Sequence, residues 1–178
     1  GSHPWAPPID GLEEAGYLTS TTAMELTEVP ESLLVLGGGY VALEQAQLFA
    51  RLGSNVTLLV RSRLASKEEP EVSKALAEVF ADEGIRVVRR AVPTSVARSA
   101  DGKVIVAADV SGGSQEFRAD QLLVALGRRP VTDALNPEAV EVKTGESGQI
   151  VVSDQLQSSN PRIWAAGDVT GHPEFVYV

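Results

Sequence analysis

The sequence contains no cysteine, which excludes disulfides, zinc–thiolate sites and thiol chemistry within these 178 residues. It also lacks a surplus of positive charge: 15 basic against 24 acidic residues leave a net charge of -9 and a pI near 4.7. A nucleic-acid footprint or adhesion to an anionic membrane requires a cationic face, so neither partner is expected. A local basic cluster can still hold a small anion. No apolar run approaches the roughly 20 residues that span a bilayer, and the start lacks the basic-then-apolar pattern of a signal peptide. The expected location is the cytoplasm. His3 and His172 stand singly in proline-containing stretches without a second ligand at metal spacing; both are read as loop residues, and no metal site is expected. Internal repeats and low-complexity tracts are absent too.

What is present is a 43% hydrophobic chain, long enough for one sizeable core or a core with a satellite lobe. Residues 1–30 carry Pro4, Pro7, Pro8 and Pro30 without a sustained period, and read as an extended lead-in with at most a short helix near 21–26. Leu33 to Leu36 is a fully apolar run ahead of three glycines, as expected of a strand buried on both faces of a parallel sheet. The helix expected next gathers Val41, Ala42, Ala46, Phe49 and Leu52 on one side and Glu44, Gln47 and Arg51 opposite, with Gly53 as its stop. Residues 55–60 read as a second strand. A second helix is expected over 70–83, with Val72, Ala75, Leu76, Val79 and Phe80 inward, and a strand over 85–88. The period then shortens. Strands at 94–98, 103–110 and 115–118, separated by Asp101-Gly102 and by Ser111-Gly112-Gly113-Ser114, suggest an antiparallel meander, followed by strands at 121–126, 149–153 and 162–166.

Gly37-Gly38-Gly39-Tyr40-Val41-Ala42 fits G-x-G-x-x-G/A. In that pattern Gly37 makes the tight turn, Gly39 lets the backbone approach a pyrophosphate, and Ala42 allows close packing of helix on strand. Phosphate oxygens would sit at the helix start, among Gly37, Gly39, Tyr40 and Val41, where N–H groups and the helix dipole favour negative charge. A bare glycine turn is the alternative, but strand, motif, amphipathic helix and second strand occur in order. Position 61, where the second strand ends, chooses the nucleotide. An acid there accepts from the ribose 2′-OH of NAD, whereas a guanidinium can donate two parallel hydrogen bonds to a 2′-phosphate. Arg61, Ser62, Arg63 and Lys67 stand there, so NADPH is expected over NADH; the alternative is a set of solvated surface cations. Glu68, Glu69 and Glu71 read as acids in the first turn of the next helix. Tyr40 is placed either over a bound nicotinamide or as a core-edge aromatic, and Glu44 lies one turn further along the polar face.

LLVALGRRP at 122–130 and IWAAGDV at 163–169, with GGGYVALE, resemble the flavin disulfide reductases, the family of glutathione reductase, dihydrolipoamide dehydrogenase and mercuric reductase. The resemblance covers essentially the whole chain. PPIDGLEEAGYLTSTTAMEL and GDVTGHPEFVYV look most like the mercuric reductase branch, as does Arg61. The resemblance implies a Rossmann-like three-layer α/β domain, with a parallel sheet carrying helices on both faces and the meander as crossover. Residues 29–145 would bind NADP(H), flanked by FAD-domain segments at 1–28 and 146–178. It further implies Arg61 and Lys67 at the 2′-phosphate and Tyr40 over the nicotinamide. Glu44 would pair with a lysine beside the flavin, Gly127 would lie near the nicotinamide half, and Asp168 would bind the FAD ribityl chain. Ala125-Leu126-Gly127 departs from the family's usual Ala-Thr-Gly.

The family's FAD glycine motif, Cys-x4-Cys pair and interface domain are missing from this sequence. The resemblance therefore implies an excised NADPH-binding portion, without catalytic residues of its own, of a homodimeric parent that carries FAD and passes electrons from NADPH to a cysteine pair and Hg(II). Two alternatives stand beside it: a dihydrolipoamide dehydrogenase or other related reductase, and a stand-alone dinucleotide sensor.

Overall fold

The structure, a computed structural model, describes residues 1–171; His172 and the Phe-Val-Tyr-Val run at 175–178 lie outside the described residues. Its elements are β1 (Ser2–Pro4), α1 (Leu12–Ala15), β2 (Ser32–Leu36), α2 (Tyr40–Arg51), β3 (Asn55–Val60), α3 (Pro70–Asp82), β4 (Arg86–Arg89), β5 (Val92–Arg98), β6 (Val104–Val110), β7 (Gly113–Ala119), β8 (Gln121–Val124) and β9 (Arg128–Pro130). Short 3-10 turns stand at Thr22–Glu25, Asp133–Leu135, Pro137–Val140 and Asp168–Thr170. The chain divides into two compact units, Ala6–Leu126 and a smaller one of Gly1–Trp5 with the chain from Gly127 onward. Leu12, Ala15 and Ala23 are buried in the cores of the larger unit, and Val131 N–H bonds Gly1 O at 3.0 Å within the smaller.

The larger unit is built on four parallel strands in the order β4-β3-β2-β8. β2 is central, which is why it can be apolar at every position from Leu33 to Leu36: both its faces are covered. Leu33 and Val35 join Val56, Leu58 and Val60 of β3 against α2 and α3, through Ala42, Leu43, Ala46, Phe49 and Phe80. On the other face Leu34, Leu36 and Leu59 meet α1 and the meander β5-β6-β7, through Leu12, Ala15, Val96, Val104, Val106 and Phe117. Three layers therefore form, but the helix on the second face is only the four-residue α1, where helices on both faces were expected. Both long helices share one face and the meander covers the other, because the chain crosses from β4 to β8 through the antiparallel sheet.

Two helix faces also differ from expectation. In α3 the stripe that meets the sheet is Ser73, Leu76, Ala77 and Phe80, while Val72, Ala75 and Val79 are exposed. Apolar residues run round more than one face of this helix, and the sheet covers only the i, i+3, i+4, i+7 stripe. In α2, Leu43 is buried and Leu52, past the last turn, is exposed. The lead-in is more ordered than its prolines suggest. Gly11, in the left-handed region at φ 70°, starts α1, and Leu18 N–H bonds Leu122 O at 2.7 Å.

In the smaller unit β1 pairs antiparallel with β9, so that His3 lies opposite Arg129 in a strand and not in a loop. The Arg129 guanidinium stands 4.1 Å over the Trp5 ring. The strands expected over 149–153 and 162–166 reduce to single bridges, Thr144 with Ile150, Val152 with Ser158 and Gln157 with Trp164. The turn that brings Leu156 N–H to Ser153 O, with Leu156 at φ 62°, reverses the chain before a ladder can extend. Among the described residues no helix is long and apolar enough to cross a membrane.

Candidate functional site

The glycine turn lies at the carboxyl end of β2, between its neighbours β3 and β8. Gly37 N–H bonds Leu59 O at 3.1 Å and Ala125 N–H bonds Leu36 O at 2.9 Å. Gly37 has φ 135°, and a Cβ there would come within 2.3 Å of Ala125 O and 3.2 Å of the Ala42 methyl. Only glycine can hold this corner. Gly38 is fixed for another reason: a Cβ would lie 2.6 Å from Val60 Cγ1 and 3.3 Å from Arg63 O. Gly39 is the opposite case. It has extended backbone, caps α2 without a side-chain hydrogen bond, and a Cβ added to it would meet nothing within 4 Å. The start of α2 therefore opens onto free space at the point where the strand neighbours of β2 diverge, the position at which open α/β sheets bind anionic ligands. Tyr40 and Glu44 are exposed on α2, one turn apart, and Val41 is half-buried beside them.

The cationic segment after β3 is not a free surface loop. Ala65, buried and left-handed at φ 43°, donates its N–H to Gly38 O at 2.7 Å. Leu64 is fully buried, and its carbonyl accepts from the hydroxyl of Ser73, itself buried in α3. The Tyr40 hydroxyl donates to the Glu68 carboxylate. The four expected phosphate contacts separate within this frame. Arg61, Ser62 and Lys67 are exposed. Arg63 is half-buried, and its Nη2 donates to Ser66 O at 3.1 Å and Glu68 O at 2.7 Å, so that it braces the loop. Of the three acids only Glu71 lies in the first turn of α3, since Pro70 opens the helix and leaves Glu68 and Glu69 outside.

Sequence reasoning missed Gly38, Ala65 and Ser73. The middle glycine of a triplet was one visible signal. A serine on the inward stripe of an otherwise apolar helix was another. Ala65 offered none, since its backbone follows from tertiary contacts alone.

Gly127 and Asp168 lie in the smaller unit. Gly127, at φ 155°, accepts from Trp5 N–H at 3.0 Å. Asp168 opens a 3-10 turn, and its Oδ2 accepts from the Ser2 hydroxyl at 2.8 Å, while Ser2 Oγ accepts from Arg128 Nε at 2.8 Å.

A parallel sheet whose central strand ends in an obligatory glycine turn, beside an uncapped helix start, is the arrangement that dinucleotide-binding α/β folds share. The sequence matches the pyridine nucleotide-disulphide oxidoreductase family over residues 1–178, and the chain belongs to that family. It is 60% identical over its whole length to a mercuric reductase of Streptomyces lividans and 45% identical to one of Staphylococcus aureus, spanning 37% and 32% of those proteins. Among solved structures it is similar to the Cu(II) complex of the HOCl-induced flavoprotein disulfide reductase RclA from Escherichia coli. There the TM-score is 0.91 and the identity 33%, over 99% of this chain and 40% of that one. The chain thus spans about a third to two fifths of the length of these relatives.

Proposed function

We propose that the chain is the NADP(H)-binding portion of a cytoplasmic, homodimeric flavin-dependent oxidoreductase whose electrons pass through a cysteine pair outside this sequence to Hg(II). The observation that carries the nucleotide assignment is the geometry at Gly39. A chain position with room for a ligand faces an uncapped helix start, and a cationic loop is hydrogen-bonded to the same turn through Ala65 and Gly38. The choice of Hg(II) is supported by the 60% identity to the Streptomyces lividans mercuric reductase.

The residues fit the group. Gly37 and Gly39 would admit the pyrophosphate to the α2 N–H groups, and Val41 would line the helix start. Arg61, Ser62 and Lys67 would take the 2′-phosphate, with Arg63 holding their loop. Tyr40 and Glu44, exposed one turn apart, would face the nicotinamide and flavin, and Gly127 the nicotinamide half. Asp168, whose Oδ2 accepts from the Ser2 hydroxyl, would hold a ribityl hydroxyl of FAD. When bound, the nicotinamide supplies a hydride and the flavin accepts it; this chain binds, orients and neutralises charge. Residues 1–28 and 146–178 would belong to the flavin-binding portion of the parent.

Calorimetric titration with NADPH and NADH, at low and moderate salt, tests the reading. Wild type is expected to prefer NADPH, with a preference that weakens as salt rises. Arg61→Ala should reduce NADPH affinity by about tenfold or more, the scale of one charge-assisted contact, and leave NADH unchanged. Equal affinity of wild type for the two nucleotides would sink the NADP(H) assignment.

A further inference from the structure

We infer that Ser73, with Arg63, is a positioning residue for nucleotide specificity: it holds the loop 61–67 in the one shape that presents Arg61, Ser62 and Lys67 to a 2′-phosphate. The inference rests on the NADP(H) reading above and names residues that would not touch the ligand. Ser73 sits in the second turn of α3, on the stripe that packs against the sheet, and is 5% exposed. A hydroxyl on an apolar stripe needs a partner, and its partner is the carbonyl of Leu64, a residue with no exposure at all. One residue further on, Ala65 takes a left-handed backbone, φ 43°, that alanine adopts only under constraint, and its N–H reaches Gly38 O at 2.7 Å. From the other side Arg63 spans Ser66 O and Glu68 O with a single nitrogen. A rigid helix, an obligatory glycine turn and one guanidinium therefore all fix the same seven-residue loop.

The arrangement matters because a flexible cationic loop would bind a phosphate only in the fraction of molecules that have it in place, and apparent affinity falls by that fraction. Removing the Ser73 hydroxyl leaves Leu64 O buried without its donor, so the loop gains conformers that solvate that carbonyl. No charge is lost. Replacing Arg63 by lysine likewise preserves charge, but exchanges the planar guanidinium, whose Nη2 donates to both carbonyls, for a flexible, strongly hydrated ammonium.

The test uses the 178-residue chain, with NADPH, NADH and 2′,5′-ADP as probes, and variants Ser73→Ala, Ser73→Thr and Arg63→Lys. Ser73→Ala is expected to weaken NADPH and 2′,5′-ADP by about tenfold while NADH changes less than about twofold. Ser73→Thr, which keeps the hydroxyl, should restore most of the loss. Trypsin supplies a readout independent of affinity, because Arg61, Arg63 and Lys67 are all cleavage points in this loop. Cutting there should be slow in wild type, faster in Ser73→Ala and Arg63→Lys, and slowed again by 2′,5′-ADP. Wild-type affinity for NADPH in Ser73→Ala, or an equal loss for NADPH and NADH that tracks a fall in thermal stability, overturns the inference and leaves the NADP(H) reading standing. A wild-type chain that binds both nucleotides equally overturns the two together.

Discussion

The two layers that sandwich a common apolar interior in the larger unit, the parallel sheet with its glycine turn and the antiparallel meander, secure their shapes by different means. In the meander, alternation suffices. Val104, Val106 and Ala108 of β6 have no exposure, and their cross-strand partners follow the register: Val106 lies opposite both Val96 of β5 and Phe117 of β7. Ile105 and Ala107 are half-exposed on the other face and Asp109 is exposed. Many apolar side chains of similar size would satisfy this pattern. At the end of β2 the constraint is on the backbone itself, and single atoms decide: a methyl at Gly37 meets a carbonyl oxygen, and one at Gly38 meets Val60. Tolerance is therefore expected where packing alone is at stake, and intolerance where the backbone must come close to a neighbour or a ligand.

The contrast breaks most sharply at the glycines themselves. Gly37→Ala forces a left-handed alanine against Ala125 O and should destabilise by about 3 kcal/mol or more, enough to abolish a soluble, cooperatively folded chain. Gly39→Ala meets open space at an extended backbone, so its unfolding midpoint should stay within about 0.5 kcal/mol of wild type. If Gly39 faces a pyrophosphate, that same variant should still lose nucleotide affinity by about tenfold or more. Urea unfolding and calorimetry on the pair separate a packing glycine from a ligand-facing one; equal stability losses in both would erase the distinction.

This contrast also explains what the sequence made legible. The strand, glycine triplet, helix and second strand could be read because each is locally determined, by an apolar run, a turn residue or a 3.6-residue period. Asp101-Gly102 marked the β5–β6 turn for the same reason. What could not be read is fixed from a distance. α1 is four residues long and owes its place to Leu12 and Ala15 packing on the meander. Arg63 looked like the twin of Arg61, and only the folded loop turns its guanidinium back onto Ser66 and Glu68. The inward stripe of α3 was misread because that helix is apolar on more sides than the sheet covers. The tail strands failed because an apolar run shows that a segment is covered and not that it is laddered.

A middle-sized effect lies where the two layers are tied together. Asp120, at the corner between β7 and β8, accepts from Ser32 N–H at 2.9 Å, from the Ser32 hydroxyl, and from Lys103 Nζ at 2.7 Å. Lys103, and next Ser32, hold its carboxyl below the ordinary 3.8. Its contribution is thus complete above 3.8 and is lost as pH falls through the lower folded value. Lys103 is raised above 10.5, chiefly by Asp120, so its share is complete below 10.5 and fades only as pH climbs through the higher folded value. With both side chains about a third exposed, Asp120→Asn should cost about 1–2 kcal/mol at pH 7. The gap between variant and wild type in urea midpoint should close progressively on acidification below 3.8. A gap that persists unchanged at the lowest pH that still supports folding would mean that the carboxylate's charge is not what ties the layers.

The smallest effect is expected on the outer side of the same meander, and it is the sharper test of tolerance. Arg118 of β7 pairs with Asp101, and Asp101 is lowered from 3.8, first by the Ser99 hydroxyl and only then by Arg118. The two charged side chains are 49% and 53% exposed, so water and salt screen them and the hydroxyl keeps its hold on the carboxylate when the arginine is gone. Arg118→Gln should therefore leave the urea midpoint nearly unchanged, with no change in nucleotide binding. The residual difference should vanish in moderately high salt. A loss comparable to that of Asp120→Asn would show that the outer face of the meander is as constrained as the corner that joins it to β2, and the division between a tolerant layer and an exacting one would have to be redrawn along the β6–β7 pair.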